Sequence, residues 1–160
     1  MLIRDYDVAD APALVELYGR SVRGIGPRDY SARQVEAWAS LAPTPGQLHR
    51  RVADGRRVLV AADDRGQPLG FGDIAADGHI GYFYCSPEAA GTGVAAALYG
   101  ALEDIALKAL LTRIHVEASE AARRFFLRQG FTVLQRRDLL IGDVPIHNFA
   151  MEKRWPLGSR

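Results

Sequence analysis

The stretch "SPEAAGTGVAAALYG", Ser86–Gly100, follows an apolar run and opens a long segment rich in Ala and Leu. Inside it, Gly91-Thr92-Gly93-Val94-Ala95-Ala96 fits G-x-G-x-x-G/A, the pattern of a dinucleotide-binding turn. Glu117 follows about twenty residues on, where that pattern places its acidic partner. A Gly-rich turn at a helix start is a physical anion site. Free N–H groups and the positive end of the helix dipole point at the ligand, and glycine admits it closely. The alternative is that the glycines only permit a strand-to-helix turn.

The surroundings of the loop decide between these readings. "RRVLVAADDRGQPLGFGDIAADGHIGYFYCS" precedes it and reads as three strands, Val58–Ala62, Pro68–Ala75 and His79–Ser86. Their connections, "DDRG" and "DG", are too short for anything but antiparallel neighbours. A dinucleotide turn puts its first glycine almost directly after a strand of a parallel unit. Here Ser86–Ala90 intervene, and the only parallel crossover is the one the loop begins. A dinucleotide oxidoreductase therefore stays a remote alternative.

Working outward, Leu2–Tyr6 reads as a first strand. Asp7 is placed to cap a helix over Val8–Arg23, whose Ala11, Leu14, Val15, Tyr18 and Val22 recur at helical spacing. Ser31 and Gln34 form a capping box for a second helix carrying Val35 and Trp38. Thr44 and Pro45 suit the cap and first turn of a third, through Val52. After the loop come a helix over Val94–Leu107, a strand in "LLTRIHVEAS", and a helix in "EAARRFFLRQG" closed by Gly130. "FTVLQRRDLLI" and "VPIHNFAMEKR" are two strands joined by Gly142-Asp143. The order β-α-α-α-β-β-β-α-β-α-β-β predicts an α+β fold. Its one mixed sheet is mostly antiparallel, with a single β-α-β crossover, in one domain over residues 1–160.

Composition bounds the function. Apolar residues make up 48% and charged residues 24% of 160, the balance of an ordinary globule with a real core. A net charge of +1 gives no electrostatic case for nucleic acid or an anionic membrane. One cysteine, Cys85, excludes an internal disulfide and a Cys-rich zinc site. The N-terminal "MLIRDYDVAD" has no apolar leader, and no apolar run approaches a membrane span. A cytoplasmic protein is expected, and a homodimer is compatible with the sequence.

The combination of strand, Pro87, Ala90-Gly91-Thr92-Gly93-Val94-Ala95 and helix, followed by "VEASEAARRFFLRQGF", resembles the GCN5-related N-acetyltransferases over nearly the whole chain. The family's loop pattern, Q/R-x-x-G-x-G/A, falls on Ala90, Gly93 and Ala95. Its second signature falls on Ser119, Ala122, Phe126 and Gly130-Phe131. "DGHI" and "PIHNFAMEK" are similar to the bacterial branch that includes the YafP-like acetyltransferases.

The resemblance implies helices on both faces of the sheet and acetyl-CoA as co-substrate. The pyrophosphate would sit on backbone N–H groups from Gly91 to Ala96. The pantetheine would pair like a strand with Phe83–Cys85, where the fourth and fifth strands of the family splay apart. Ser119 would stand where an Asn meets the pantetheine, with Phe125 and Phe126 flanking the thiol end. Two departures follow. Ala90 removes a polar side chain near the phosphates, and Phe126 replaces the Tyr that often protonates the leaving thiolate. They keep open a non-catalytic acyl-CoA-binding module as the alternative to an enzyme.

Acyl transfer to an amine needs a proton acceptor, oxyanion stabilisation and held reactants. Glu117, its pKa raised by burial, is the candidate base; an ordinary ion pair with Arg113, Arg123 or Arg124 is the alternative. Tyr84 is the candidate acid or water ligand, and a backbone N–H near it the candidate oxyanion donor. Cys85 has no partner His and reads as a small strand residue rather than a nucleophile. His79 is expected far from the site, and His115 on the face of Glu117. No metal site is expected from histidines read one at a time. Tyr30, Trp38, Phe71, Asp73 and His147 are the candidates for binding the acceptor, a small amine or amino acid.

Overall fold

Arg57–Ala62 (β2) sets the layering. Val58 and Val60 point to one side of the sheet, Leu59 and Ala61 to the other, and all four are buried. A strand with two apolar faces needs cover on both. The computed structural model describes residues 1–156; the last four positions of the expected domain lie outside the described residues.

On the face of Val58 and Val60 lie Ala11–Ile25 (α1), Ala32–Ala39 (α2) and Pro45–Val52 (α3). The expected capping box at Ser31 forms, and the expected cap at Thr44 is a capping box as well. Gln34 N donates to Ser31 Oγ at 3.1 Å while Ser31 N donates back to Gln34 Oε1, and Thr44 and Gln47 repeat the exchange. Asp7 caps a 3₁₀ turn, Val8–Asp10, rather than α1 itself, so α1 begins three residues later than the periodicity suggests and runs on to Ile25. On the face of Leu59 lies Val94–Lys108 (α4), and Glu120–Arg128 (α5) joins the same core.

The expected single sheet is two four-stranded sheets. Leu2–Asp5 (β1), β2, Pro68–Ile74 (β3) and Phe83–Cys85 (β5) form the first, in that order. His79–Ile80 (β4), Arg113–Ala118 (β6), Val144–Arg154 (β8) and Thr132–Ile141 (β7) form the second. Every pairing is antiparallel except β4 with β6.

The expected strand His79–Ser86 is thus cut in two at Gly81-Tyr82. The cause is Asp73, at 0% exposure. Its Oδ1 accepts from Gly81 N and its Oδ2 from Tyr82 N, both at 3.0 Å, so these two N–H groups bond to a side chain instead of a neighbouring strand. Arg56 Nη1, 3.1 Å from Oδ1, balances the buried charge. Beyond that point β4 stays with β6 and β5 goes with β3, and a cleft opens between the sheets.

Candidate active site

The cleft encloses roughly 790 Å³. One wall is β5, with one edge paired to β3 and the other unpaired. The ladder bonds Asp73 N to Tyr82 O and Ser86 N to Leu69 O bracket the β3–β5 pairing. Antiparallel alternation then turns the N–H of Tyr84 toward Phe71 and those of Phe83 and Cys85 toward the open edge. The Tyr84 N–H thus faces its own sheet, and the neighbouring N–H groups left free of the β3 ladder are those of Phe83 and Cys85.

The chain continues from β5 into the glycine loop. Gly91 and Gly93 have φ of 74° and 87°, and a Cβ on either would meet nothing within 4 Å. Left-handed backbone in open space shows what these glycines are for: they turn the chain and keep it bare. Gly93 caps α4 without any side-chain acceptor, and the first bond of the helix runs from Ala97 N to Gly93 O. The N–H groups of the first turn are left for an incoming anion. Ala90, Gly91, Gly93, Ala95 and Ala96 line the cleft. Val94 buries its side chain against Ala61 and Ala89 and offers only its N–H. Thr92 departs from the expected free donor: its N–H and its hydroxyl both donate to Ala89 O.

The opposite wall is the end of β6 and the start of α5. Ser119 lines it and caps α5 by accepting from Ala122 N at 3.3 Å. Ala122, Phe125 and Phe126 line it as well. Phe126 is fully buried, its ring 4.8 Å from Phe131 and 5.4 Å from Phe83, so it anchors the wall.

Glu117 lines the cleft, but its surroundings differ from those expected. Its partner is no arginine. His79 Nε2 lies 2.8 Å from Glu117 Oε1, because β4 pairs with β6 in register and brings His79 onto the face of His115 and Glu117. His79 therefore stands directly behind Glu117 at the edge of the cleft rather than far from it. The imidazole holds the Glu117 carboxyl below the usual carboxylate range, outweighing the upward push of burial, and the His79 pKa rises in return. The expected upward shift of Glu117 is reversed.

Tyr84 is half-buried in the cleft, its ring 4.6 Å from Tyr18, and burial raises its pKa so that it keeps its proton. Burial also pushes the Cys85 thiol up to about 11, which leaves it protonated at neutral pH.

At the far end, Tyr30, Trp38 and His147 line the cleft together. Tyr30 and Trp38 meet edge to face at 5.7 Å. The Tyr30 hydroxyl donates to His147 O at 2.9 Å and accepts from Glu120 N, while His147 Nε2 lies 2.7 Å from Glu120 Oε2. Two other candidates fall outside. Phe71 is a core residue beneath Tyr82 and Tyr84. Asp73 spends its carboxylate on Gly81, Tyr82 and Arg56, so it shapes the cleft without facing it.

Several lining residues escape the sequence reading. Leu139 and Ile146 pair across the β7–β8 hairpin and, with Ile141, give the cleft an apolar side; their strand alternation was a usable signal. Ser86 Oγ and Asn148 Oδ1 are buried, line the cleft and have no hydrogen-bond partner among the described residues. Orphaned polar atoms of this kind call for a ligand or water. Arg28, Arg124 and Arg128 also reach the cleft. Asp29 holds Arg124 at 2.8 Å, whereas Arg28 and Arg128 form no ion pair among the described residues.

The site therefore combines an open strand edge, an uncapped helix start, unpaired cations and orphaned polar atoms, which suits an extended molecule with a phosphorylated end. Known proteins agree. A profile of the acetyltransferase (GNAT) domain matches residues 27–151. The uncharacterized N-acetyltransferase YafP of Escherichia coli (strain K12) is 34% identical over 139 residues, 84% of either chain. Among solved structures, a GCN5-related N-acetyltransferase from Rhodopseudomonas palustris is 30% identical and superposes with a TM-score of 0.88, over 96% of this chain and 95% of that one. The PaiA N-acetyltransferase of Thermoplasma acidophilum, solved with coenzyme A, is 21% identical and shares the fold, with a TM-score of 0.77 over 96% and 98% of the two chains. The dinucleotide reading of the glycine loop is set aside by this family match, and the chain belongs to the GCN5-related N-acetyltransferases, as an acetyl-CoA-dependent member.

Proposed function

We propose that the cleft carries an acetyl group from acetyl-CoA to the primary amine of a small molecule or amino acid, by direct attack with both reactants bound. The observation that carries this reading is the continuity of the unpaired β5 edge with the bare start of α4. An extended pantetheine matches the first and a pyrophosphate the second. Arg28 and Arg128 add the cationic side chains that Ala90 lacks.

Acetyl-CoA, when bound, supplies the thioester carbonyl that the amine attacks. The N–H groups of Phe83 and Cys85 are the donors aimed along the open edge, where an oxyanion develops. Glu117 is an ionised acceptor for the ammonium proton, directly or through water, and His79 beside it gives that proton a second seat. Tyr84 is the protonated hydroxyl for the departing sulfur in place of the Tyr that Phe126 replaces. A protonated, half-buried Cys85 favours direct attack over an acetyl-enzyme. The far end of the cleft supports a small acceptor: Tyr30 and Trp38 offer aromatic faces to an ammonium, and the Glu120 carboxylate lies beside His147.

Calorimetry with acetyl-CoA, followed by CoA release across a panel of small amines and amino acids, tests the reading. Tight binding with CoA release on a subset of primary amines is expected. Release only on larger protein or peptide amines would overturn the choice of acceptor.

A further inference from the structure

We propose that His79, His115 and Glu117 form a binding site for a divalent transition-metal ion of the zinc type, at the edge of the acetyl-transfer cleft. The three residues offer one donor atom each, and these atoms all lie within 4.8 Å of one another. Tetrahedral zinc with ligand bonds of about 2.0–2.1 Å separates its donors by roughly 3.4 Å. Small side-chain rotations bring the wider edges in and let the His79 Nε2 to Glu117 Oε1 edge, now 2.8 Å, open to that separation.

The backbone builds the site. His79 and His115 are direct partners in the β4–β6 pairing, which stacks their rings with centroids 5.0 Å apart. Glu117 is two residues beyond His115, so strand alternation puts it on the same face. The approach of β4 to β6 depends on Gly78, since a Cβ there would collide with the Arg113 carbonyl oxygen. All three side chains keep partial access to solvent, which gives an ion a way in.

The donor chemistry selects the ion. Two imidazoles and one carboxylate are a zinc-binding set that leaves a fourth position open. Mg²⁺ and Ca²⁺ prefer all-oxygen shells and are disfavoured here. Asp77, with Oδ2 3.9 Å from His115 Nε2, is placed to orient that ring or to supply a further oxygen. Of the nearby cations, Arg113 pairs at 2.6 Å with Glu152, a carboxylate it shares with Arg154, and Arg137 lies near Glu117. An ion seated here takes Glu117 away from the cleft, so occupancy competes with acetyl transfer. Only that consequence rests on the proposed role of Glu117; the binding does not.

The test uses the full chain stripped with a chelator and titrated with Co²⁺, then Zn²⁺. One equivalent of Co²⁺ is expected to give the visible bands of a low-coordinate ion, and one equivalent of Zn²⁺ to abolish them. His115→Ala and His79→Ala should each weaken binding roughly tenfold or more. Thermal unfolding of the metal-free variants identifies any that fail to fold, and His115→Gln is the milder substitute. Absent bands, or an affinity unchanged in a folded His115 variant, overturn the site. Metal-free His115→Ala keeps its acetyl transfer, and Zn²⁺ inhibits the parent chain but not this variant. Stoichiometric Zn²⁺ binding that leaves acetyl transfer untouched keeps the site and removes Glu117 from catalysis.

Discussion

The two walls of the cleft are built on opposite principles. The β5 wall and its loop, Phe83–Ala96, are one continuous piece of chain whose functional groups are mostly backbone N–H. The β6 wall takes His79, Glu117, Glu120 and His147 from four segments, and its functional groups are side chains brought together by strand pairing. The first needs a free edge, two glycines and a helix start. The second needs correct register across the second sheet. On the proposed function, cofactor binding therefore rests on local chain geometry, and acceptor chemistry on long-range packing.

Removing one group from the side-chain wall should have the largest effect. Glu117→Gln keeps the shape of the side chain and a hydrogen bond to His79 but cannot take a proton. A loss of about 10²- to 10⁴-fold in kcat is expected, with acetyl-CoA affinity unchanged by calorimetry. A kcat near that of the parent would mean that this wall holds no base.

Asp73 belongs to neither wall and separates them. Asp73→Ala leaves the Gly81 and Tyr82 N–H groups and the Arg56 charge without their buried partner. The expected cost is about 3–5 kcal/mol of folding stability, read from urea unfolding. With the anchor gone, β4 and β5 can rejoin as one strand, so both acetyl-CoA binding and turnover should fall. A variant that loses stability alone would show that the split is held by something other than Asp73.

The same division explains what the sequence revealed. Helix caps at Ser31 and Thr44, the Gly142-Asp143 turn and the glycine loop are written in neighbouring residues, so the element order and family were legible. The break at Gly81-Tyr82 was not, because its cause lies eight residues away in β3. The same holds for Glu117. Its downward pKa comes from His79, 38 positions earlier, and only the parallel β4–β6 register brings them together. Asp73 read as a substrate ligand because a carboxylate near a cleft looks free until its two oxygens are counted.

On the backbone wall, Gly93→Ala tests conformation rather than contact. The added methyl would meet nothing, but the left-handed φ of 87° costs an L-residue about 1–2 kcal/mol. Acetyl-CoA affinity should fall by roughly five- to thirtyfold if the loop relaxes in the free protein, while kcat at saturation holds. A matching loss in kcat would show that the loop also positions the thioester.

The smallest effect is expected from the cations proposed to stand in for the polar side chain missing at Ala90. Arg28 and Arg128 are exposed and form no ion pair among the described residues, so solvent screens each contact with a phosphate. Single Ala variants should weaken acetyl-CoA binding by about 0.5–1 kcal/mol, or two- to fivefold, at low salt. That difference should shrink as ionic strength rises, because the Debye length falls to about 3 Å at 1 M. The Gly93 effect should persist at high salt, because backbone strain is not an ionic interaction. Salt titration of the three variants thus divides the phosphate site into its backbone and side-chain parts. Salt-insensitive losses at Arg28 or Arg128 would mean that these arginines act by packing their stems against the cleft rather than by their charge.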